Sequence, residues 1–208
     1  MGDQVSEQTT NRLSLYLRFA NELDANGVRI VSSKALAAQF QLNAALIRKG
    51  LSHFGALGVR GVGYGVKGLK QRLRQILGLE RRLNVAIIGA GNLGFALADY
   101  PGFRQEGFRI VALFDSLRAK VGHRSRSGVR IHDIRQLKRV TRRKGITIAV
   151  IAVPAASAQI VANTVVQAGI KALLSFSPGA LRVPSDVKLK SVDLTVSLES
   201  LSFFLAKT

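Results

Sequence analysis

The chain contains no cysteine. Disulfides, thiolate metal ligands and thiol redox chemistry are all unavailable to it. Long apolar runs are missing too. Gly or Pro breaks each one early, so no membrane span is expected. The opening residues Asp3, Gln4, Ser6 and Glu7 are polar and lack the apolar core of a signal peptide. A cytoplasmic protein is the simplest expectation. Acid is scarce: 12 Asp+Glu stand against 31 Lys+Arg, a net charge of +19. A field of that sign favours polyanions such as nucleic acid, unless it reflects a basic proteome or a salt-adapted surface. Proton donors are few. Neither Tyr16, Tyr64 nor Tyr100 heads a Ser-x-x-x-Tyr-x-x-x-Lys spacing. Of His53, His123 and His132, only His132 has an adjacent acid, Asp133, that could orient it. Such pairs at strand ends are usually structural.

What is present begins with Asn84-Val85-Ala86-Ile87-Ile88, an apolar strand pattern that runs into Gly89-Ala90-Gly91-Asn92-Leu93-Gly94. A helical pattern follows, then a second apolar run ending in Phe114-Asp115, with Asp115 placed 21 residues after Gly94. Strand, glycine turn, helix, strand and terminal acid form the dinucleotide fingerprint. Gly89 permits the tight turn and Gly91 the close approach of a pyrophosphate to a helix N-terminus. Gly94 lets helix and strand pack closely. Asp115 can accept hydrogen bonds from ribose hydroxyls, which favours NAD(H). Arg118 lies just beyond it and could meet a 2′-phosphate, but Asp115 would repel that group. Glycines serving only a tight turn are the plainer alternative.

Before residue 82 the pattern differs. Leu13, Leu17, Ala20 and Leu23 recur at helical spacing. A second helix is expected from Ser32-Ser33 to about Phe40, and a third from the N-cap Asn43 to about Phe54. Ile47, Leu51 and Phe54 would face inward. Gly55, Gly58, Gly61, Gly63 and Gly65 punctuate a hairpin, and Leu69, Leu73, Ile76 and Leu77 mark one more helix. Three helices and a Gly-rich hairpin follow the order of a winged helix-turn-helix. Arg48, Lys49, Ser52 and His53 then lie on the outer faces of helix three, free to enter a major groove. Arg60 on the hairpin could reach a phosphate or the minor groove. A solvated helix face is the alternative for Arg48 and Lys49.

From residue 84 strands and helices alternate. Strands are expected at 85–88, 109–114, 129–132, 147–153, 172–176 and, more weakly, 192–196; helices at 92–100, 134–144, 155–168 and 199–206. This predicts an open, mostly parallel, doubly wound sheet. Val153-Pro154 and Phe176-Ser177-Pro178-Gly179 end two strands on the cofactor edge. Residues 118–144 hold 11 Lys+Arg and one acid, Asp133; this run is either a solvated helix face or an extra polyanion surface. Leu201-Ser202-Phe203-Phe204-Leu205 is too apolar for a free tail and needs a groove in its own subunit or a partner. The expected domains are 1–82, 83–196 and a C-terminal helix 197–208. A small NAD-dependent oxidoreductase with a basic helical appendage is the alternative to a DNA-binding protein.

Several of these segments resemble the redox-sensing transcriptional repressor family Rex: Ile47 to Gly55, Arg60 to Tyr64, Gly89 to Leu97, Tyr100 to Phe103, Phe114-Asp115, Val153-Pro154 and Val192-Asp193-Leu194. The resemblance implies an N-terminal winged helix-turn-helix, a Rossmann domain and a domain-swapped C-terminal helix. It also implies a homodimeric, non-enzymatic repressor of a palindromic, A·T-rich duplex, released by NADH and permitted to bind by NAD⁺. By matched motif, Arg48 and Lys49 are the DNA-reading pair and Arg60 the wing contact. Tyr100 lies near the nicotinamide, and Arg18 pairs with Asp193 of the partner. The chain departs from the family at Gly50 and His53, where Asp and Tyr are usual, and at Ser116-Leu117-Arg118, which replace acidic residues. Gly50 costs a helix on the order of 1 kcal/mol.

Overall fold

The structure, a computed structural model, describes residues 6–40, 43–52, 58–59 and 61–206. The chain divides into two compact units, Met1–Arg81 and Arg82–Thr208.

In the first unit, α1 (Glu7–Ala25) is capped by Ser6, whose hydroxyl accepts from the Thr9 N–H. It buries Leu13, Tyr16, Leu17 and Ala20, one stripe at helical spacing. A short strand β1 (Ile30–Val31) leads into α2 (Ser33–Phe40) and α3 (Ala44–Ser52). Each begins on a side-chain cap: Ser32 Oγ accepts from Ala35 N at 3.0 Å, and Asn43 Oδ1 from Ala45 N at 2.7 Å. Ile47 and Leu51 are buried; the expected core residue Phe54 lies outside the described residues. Val59 and Gly63 exchange backbone hydrogen bonds at 2.8 and 2.9 Å across a tight turn, with Gly61 and Gly63 at positive φ. Strand β2 (Tyr64–Gly65) then pairs antiparallel with β1, a strand too short to be marked by periodicity. Helix α4 (Val66–Ile76) buries Val66, Leu69 and Leu73 and closes the unit.

The second unit is a six-stranded sheet with every neighbouring pair parallel. Its strands are β3 (Leu83–Ile88), β4 (Phe108–Asp115), β5 (Ile131–Asp133), β6 (Ile146–Ile151), β7 (Ala172–Ser175) and β8 (Lys188–Ser191). The order β5-β4-β3-β6-β7-β8 reverses direction between β3 and β6, the switch point of a Rossmann fold, where ligands bind outside the carboxyl ends. Helices α5 (Asn92–Asp99), α6 (Pro101–Gln105), α7 (Leu137–Lys144) and α8 (Ala155–Gln167) connect the strands, with a 3-10 turn at Ile134–Gln136. The sheet is buried on both faces. Ala86, Ile88, Phe114, Val140, Ile151 and Val165 pack on one side; Val85, Ile87, Leu113, Ile131 and Val150 pack on the other.

The weak strand expected at 192–196 does not form. The sixth strand is Lys188–Ser191, whose lysines suit an exposed edge. Asp193 accepts from the Thr195 N–H at 2.9 Å and starts α9 (Leu194–Leu205), well before residue 199. Helix α9 buries no residue within the chain, and Leu198, Leu201, Phe203, Phe204 and Leu205 are all exposed.

Candidate functional site

The end of β3 is pinned from both sides. Gly89 N–H donates to Phe114 O, and Ala152 N–H donates to Ile88 O, both at 2.8 Å. The chain then turns through Gly89 at φ +106°. A Cβ on Gly89 would lie 2.3 Å from Ala152 O, so no other residue fits. A Cβ on Gly94 would come 1.9 Å from Gly89 O, because α5 packs directly on the turn. Gly91 differs. It caps α5 with an extended backbone, and a Cβ there would meet nothing within 4 Å. The space above Gly91 is open, at a helix end whose first N–H groups lack partners. Asn92 and Leu93 are exposed beside it. This is the shape that a pyrophosphate fits.

Asp115 closes the turn. Its carboxylate accepts from Ala90 N–H at 3.0 Å, Leu117 N–H at 2.9 Å and Lys120 Nζ at 3.1 Å. Burial pushes its pKa up, but these three donors outweigh burial and hold it below the ordinary carboxylate value. The carboxylate is therefore anionic and fixed. A carboxylate has about four acceptor sites, so capacity remains for a ribose hydroxyl. Lys120 was not legible as part of this site; only its spacing of five residues from Asp115 hinted at it.

The other walls come from β6 and β7. Val153 stands beside Gly89, its Cγ1 3.0 Å from where a Cβ there would sit, and Pro154 caps α8. Phe176 N–H donates to Ile151 O at 2.9 Å, so Phe176 follows β7 on the same edge. Ser177 Oγ donates to Val153 O at 2.6 Å, and Ser175 Oγ accepts from Ser177 N–H. These buried serines tie the two strand ends together. The period-two Ser-Phe-Ser was their sole trace in sequence.

Tyr100 caps the other end of α5, roughly 13 Å along the helix from Gly91 at about 1.5 Å per residue. There it is exposed and packs edge-on against Phe103 with centroids 5.2 Å apart. His132 is buried, tilted against Phe114, and pushed down to about 4 by burial and by Lys144, Arg130, Arg143 and Arg139. Asp133, which could have oriented it, makes its hydrogen bonds elsewhere. Its carboxylate accepts from Arg135 N–H and Nε instead, which hold it down to about 2.

In the first unit, Arg48, Lys49 and Ser52 are exposed on α3, opposite the buried Ile47 and Leu51. Arg48 Nη1 donates to Ser33 Oγ at 3.1 Å, which fixes the guanidinium at the start of α2. His53 and Arg60 lie outside the described residues. Arg18 is exposed on α1, and Asp193 is exposed at the start of α9.

Comparison with known proteins bears on these features. Residues 80–179 match the family described as "CoA binding domain", and residues 4–52 match "Putative DNA-binding protein N-terminus". A redox-sensing transcriptional repressor Rex from Syntrophomonas wolfei is 47% identical over 203 residues, covering 98% of this chain and 96% of the relative. The Rex of Carboxydothermus hydrogenoformans is 45% identical, covering 97% of each. The chain belongs to the Rex family. Among solved structures it is similar to RSP, a Rex-family repressor, with 37% identity, a TM-score of 0.89 and coverage of 99% and 96%. The crystal structure of RSP with β-NAD⁺ and operator DNA aligns at 38% identity with a TM-score of 0.93, covering 99% of this chain and 94% of that one. RSP with β-NADH aligns at 37% and 0.88, covering 99% and 96%. The Rex relatives are named as repressors. Among the described residues no helix is long and apolar enough to cross a membrane, and no cluster of His, Asp or Glu could hold a metal ion.

Proposed function

We propose that this Rex-family chain is a cytoplasmic, non-enzymatic repressor that binds a palindromic operator and senses the NADH/NAD⁺ ratio. The observation that carries this is the turn at Gly89–Gly94 with Asp115 hydrogen-bonded to it, in a chain whose solved relative holds NAD⁺ and operator DNA. Gly89 to Gly94 would hold the pyrophosphate and Asp115 the adenosine ribose. Val153, Pro154 and Phe176 would border the nicotinamide. Reduction removes the positive charge of that ring, so one pocket can hold the two forms unequally. Only differential affinity for two conformations shifts their balance. A 100-fold ratio would supply roughly 2.7 kcal/mol.

Residues 1–82 would read DNA through Arg48, Lys49 and Ser52 on α3 and through His53, and Arg60 would contact it as well. Residues 83–196 would bind NAD(H). The apolar face of α9 supports a homodimer in which each C-terminal helix is covered by the partner. In such a dimer Arg18 would pair with Asp193 of the other subunit. Tyr100, at the far end of α5, would lie near the nicotinamide and respond to its redox state.

The alternative, a small oxidoreductase, needs a proton donor at the strand edge. The buried neutral His132 does not supply one. Fluorescence anisotropy of a labelled palindromic duplex tests the proposal. NADH should release the DNA and excess NAD⁺ should restore binding. Tight binding indifferent to both nucleotides would overturn it.

A further inference from the structure

The second unit carries far more cation than its glycine turn uses. Residues 118–144 hold 11 Lys+Arg and the single acid Asp133. Among the described residues two of these cations form ion pairs, Lys120 with Asp115 and Arg135 with Asp133. Helix α7 contains no acid. Its inner residues Leu137, Val140 and Thr141 are buried, and Arg139, Arg142 and Arg143 are exposed on its outer face. Arg124 and Arg130 meet across an isolated antiparallel bridge. Lys144 Nζ reaches Val111 O at 2.6 Å. Burial and then Arg143, Arg109, Arg124 and Arg130 hold its pKa below the ordinary lysine value. Like charges from α7, β4 and the bridge therefore converge at the amino edge of the sheet. Arg104, Arg109 and Lys144 are among the residues that line a cleft of about 570 Å³. The one carboxylate lining it, Asp99, is engaged by the backbone N–H groups of Arg126 and Ser127.

Cations in a last helical turn complement the helix dipole. That accounts for Arg142 and Arg143 but not for Arg109, Arg124 or Arg130. Unpaired cations gathered this closely are relieved by a chain of counter-charges. They also spread along an open surface, and Arg139 and Arg143 stand one turn apart, about 6 Å. That spread suits an extended polyanion better than a small enclosed one. We propose that the outer face of α7 and the adjoining amino edge of the sheet bind the phosphate backbone of duplex nucleic acid, without reading bases. The surface belongs to a different unit from α3, so it does not rest on the winged-helix reading.

The test is a salt titration of full-chain binding to mixed-sequence duplex DNA, followed by anisotropy. An Arg139→Gln, Arg142→Gln, Arg143→Gln triple variant is compared with the triple Arg→Lys variant, both in an Arg48→Ala, Lys49→Ala background. Each phosphate contact adds about 0.9 to the slope of log K against log salt. Loss of three should therefore narrow the affinity drop between about 0.05 and 0.2 M salt by on the order of 40-fold. The Lys variant should keep the full slope, which also reports that the fold survives. An unchanged slope in the Gln variant, as an acidic protein partner would produce, overturns the proposal; so does equal loss in both variants. Failure of the α3 reading would appear separately, as undiminished operator binding by the background itself.

Discussion

The carboxylate of Asp115 accepts the backbone N–H of Ala90 at 3.0 Å, so the residue that would recognise the ribose also braces the glycine turn. Removing it should act twice. Asp115→Ala should leave the Ala90 N–H unpaired and Lys120 without its partner, lowering stability by about 1–3 kcal/mol. NADH affinity should fall at least tenfold. Thermal melting and isothermal titration separate the two effects, and an Asp115→Ala protein with native NADH affinity would remove Asp115 from the site.

The glycines of the turn should divide by mechanism. Gly91→Val meets open space at an ordinary φ, so the protein should fold with a near-native Tm while losing its NADH response. Gly94→Ala must push α5 off Gly89 O and should cost about 3 kcal/mol or more. Retained NADH response in the Gly91→Val protein would defeat the reading of the turn.

His132 predicts acid sensitivity. Its folded pKa of about 4 lies below the ordinary 6.5, so the unfolded chain takes up a proton that the folded chain refuses. The contribution is present in full above pH 6.5 and is lost as pH falls towards 4, to a maximum of about 3 kcal/mol. Urea midpoints across that window should fall for the native chain and change less for His132→Leu.

Gly50 lies within α3, and a Cβ there would touch nothing within 4 Å. Gly50→Ala should therefore stabilise the protein by up to about 1 kcal/mol, seen as a higher Tm. Nonspecific DNA affinity should stay the same, because no charge changes.

Helix α9 needs cover. Leu201→Glu with Phe203→Glu should shift the sedimentation equilibrium from dimer to monomer and abolish operator binding, because a two-fold site needs both recognition helices. A variant that sediments as the native protein does would show that α9 is covered in some other way.

The amino-acid sequence by itself determined the succession of a helical unit and a strand–helix unit, and the chemistry of the turn. Strand runs buried on both faces, caps at Ser32 and Asn43, and three glycines at fixed offsets are local signals that no distant contact needs to create. The parallel, doubly wound character of the sheet followed as well, because right-handed crossovers leave few topologies. Tertiary structure decided whatever depended on neighbours distant in sequence. Lys188–Ser191 became the edge strand only by pairing with β7. Phe114 and His132 came together only because β4 and β5 pair. Ser177 joined the nucleotide edge by donating to Val153 O, a hydrogen bond between the ends of two strands that depends on three-dimensional register, which periodicity along one strand does not contain.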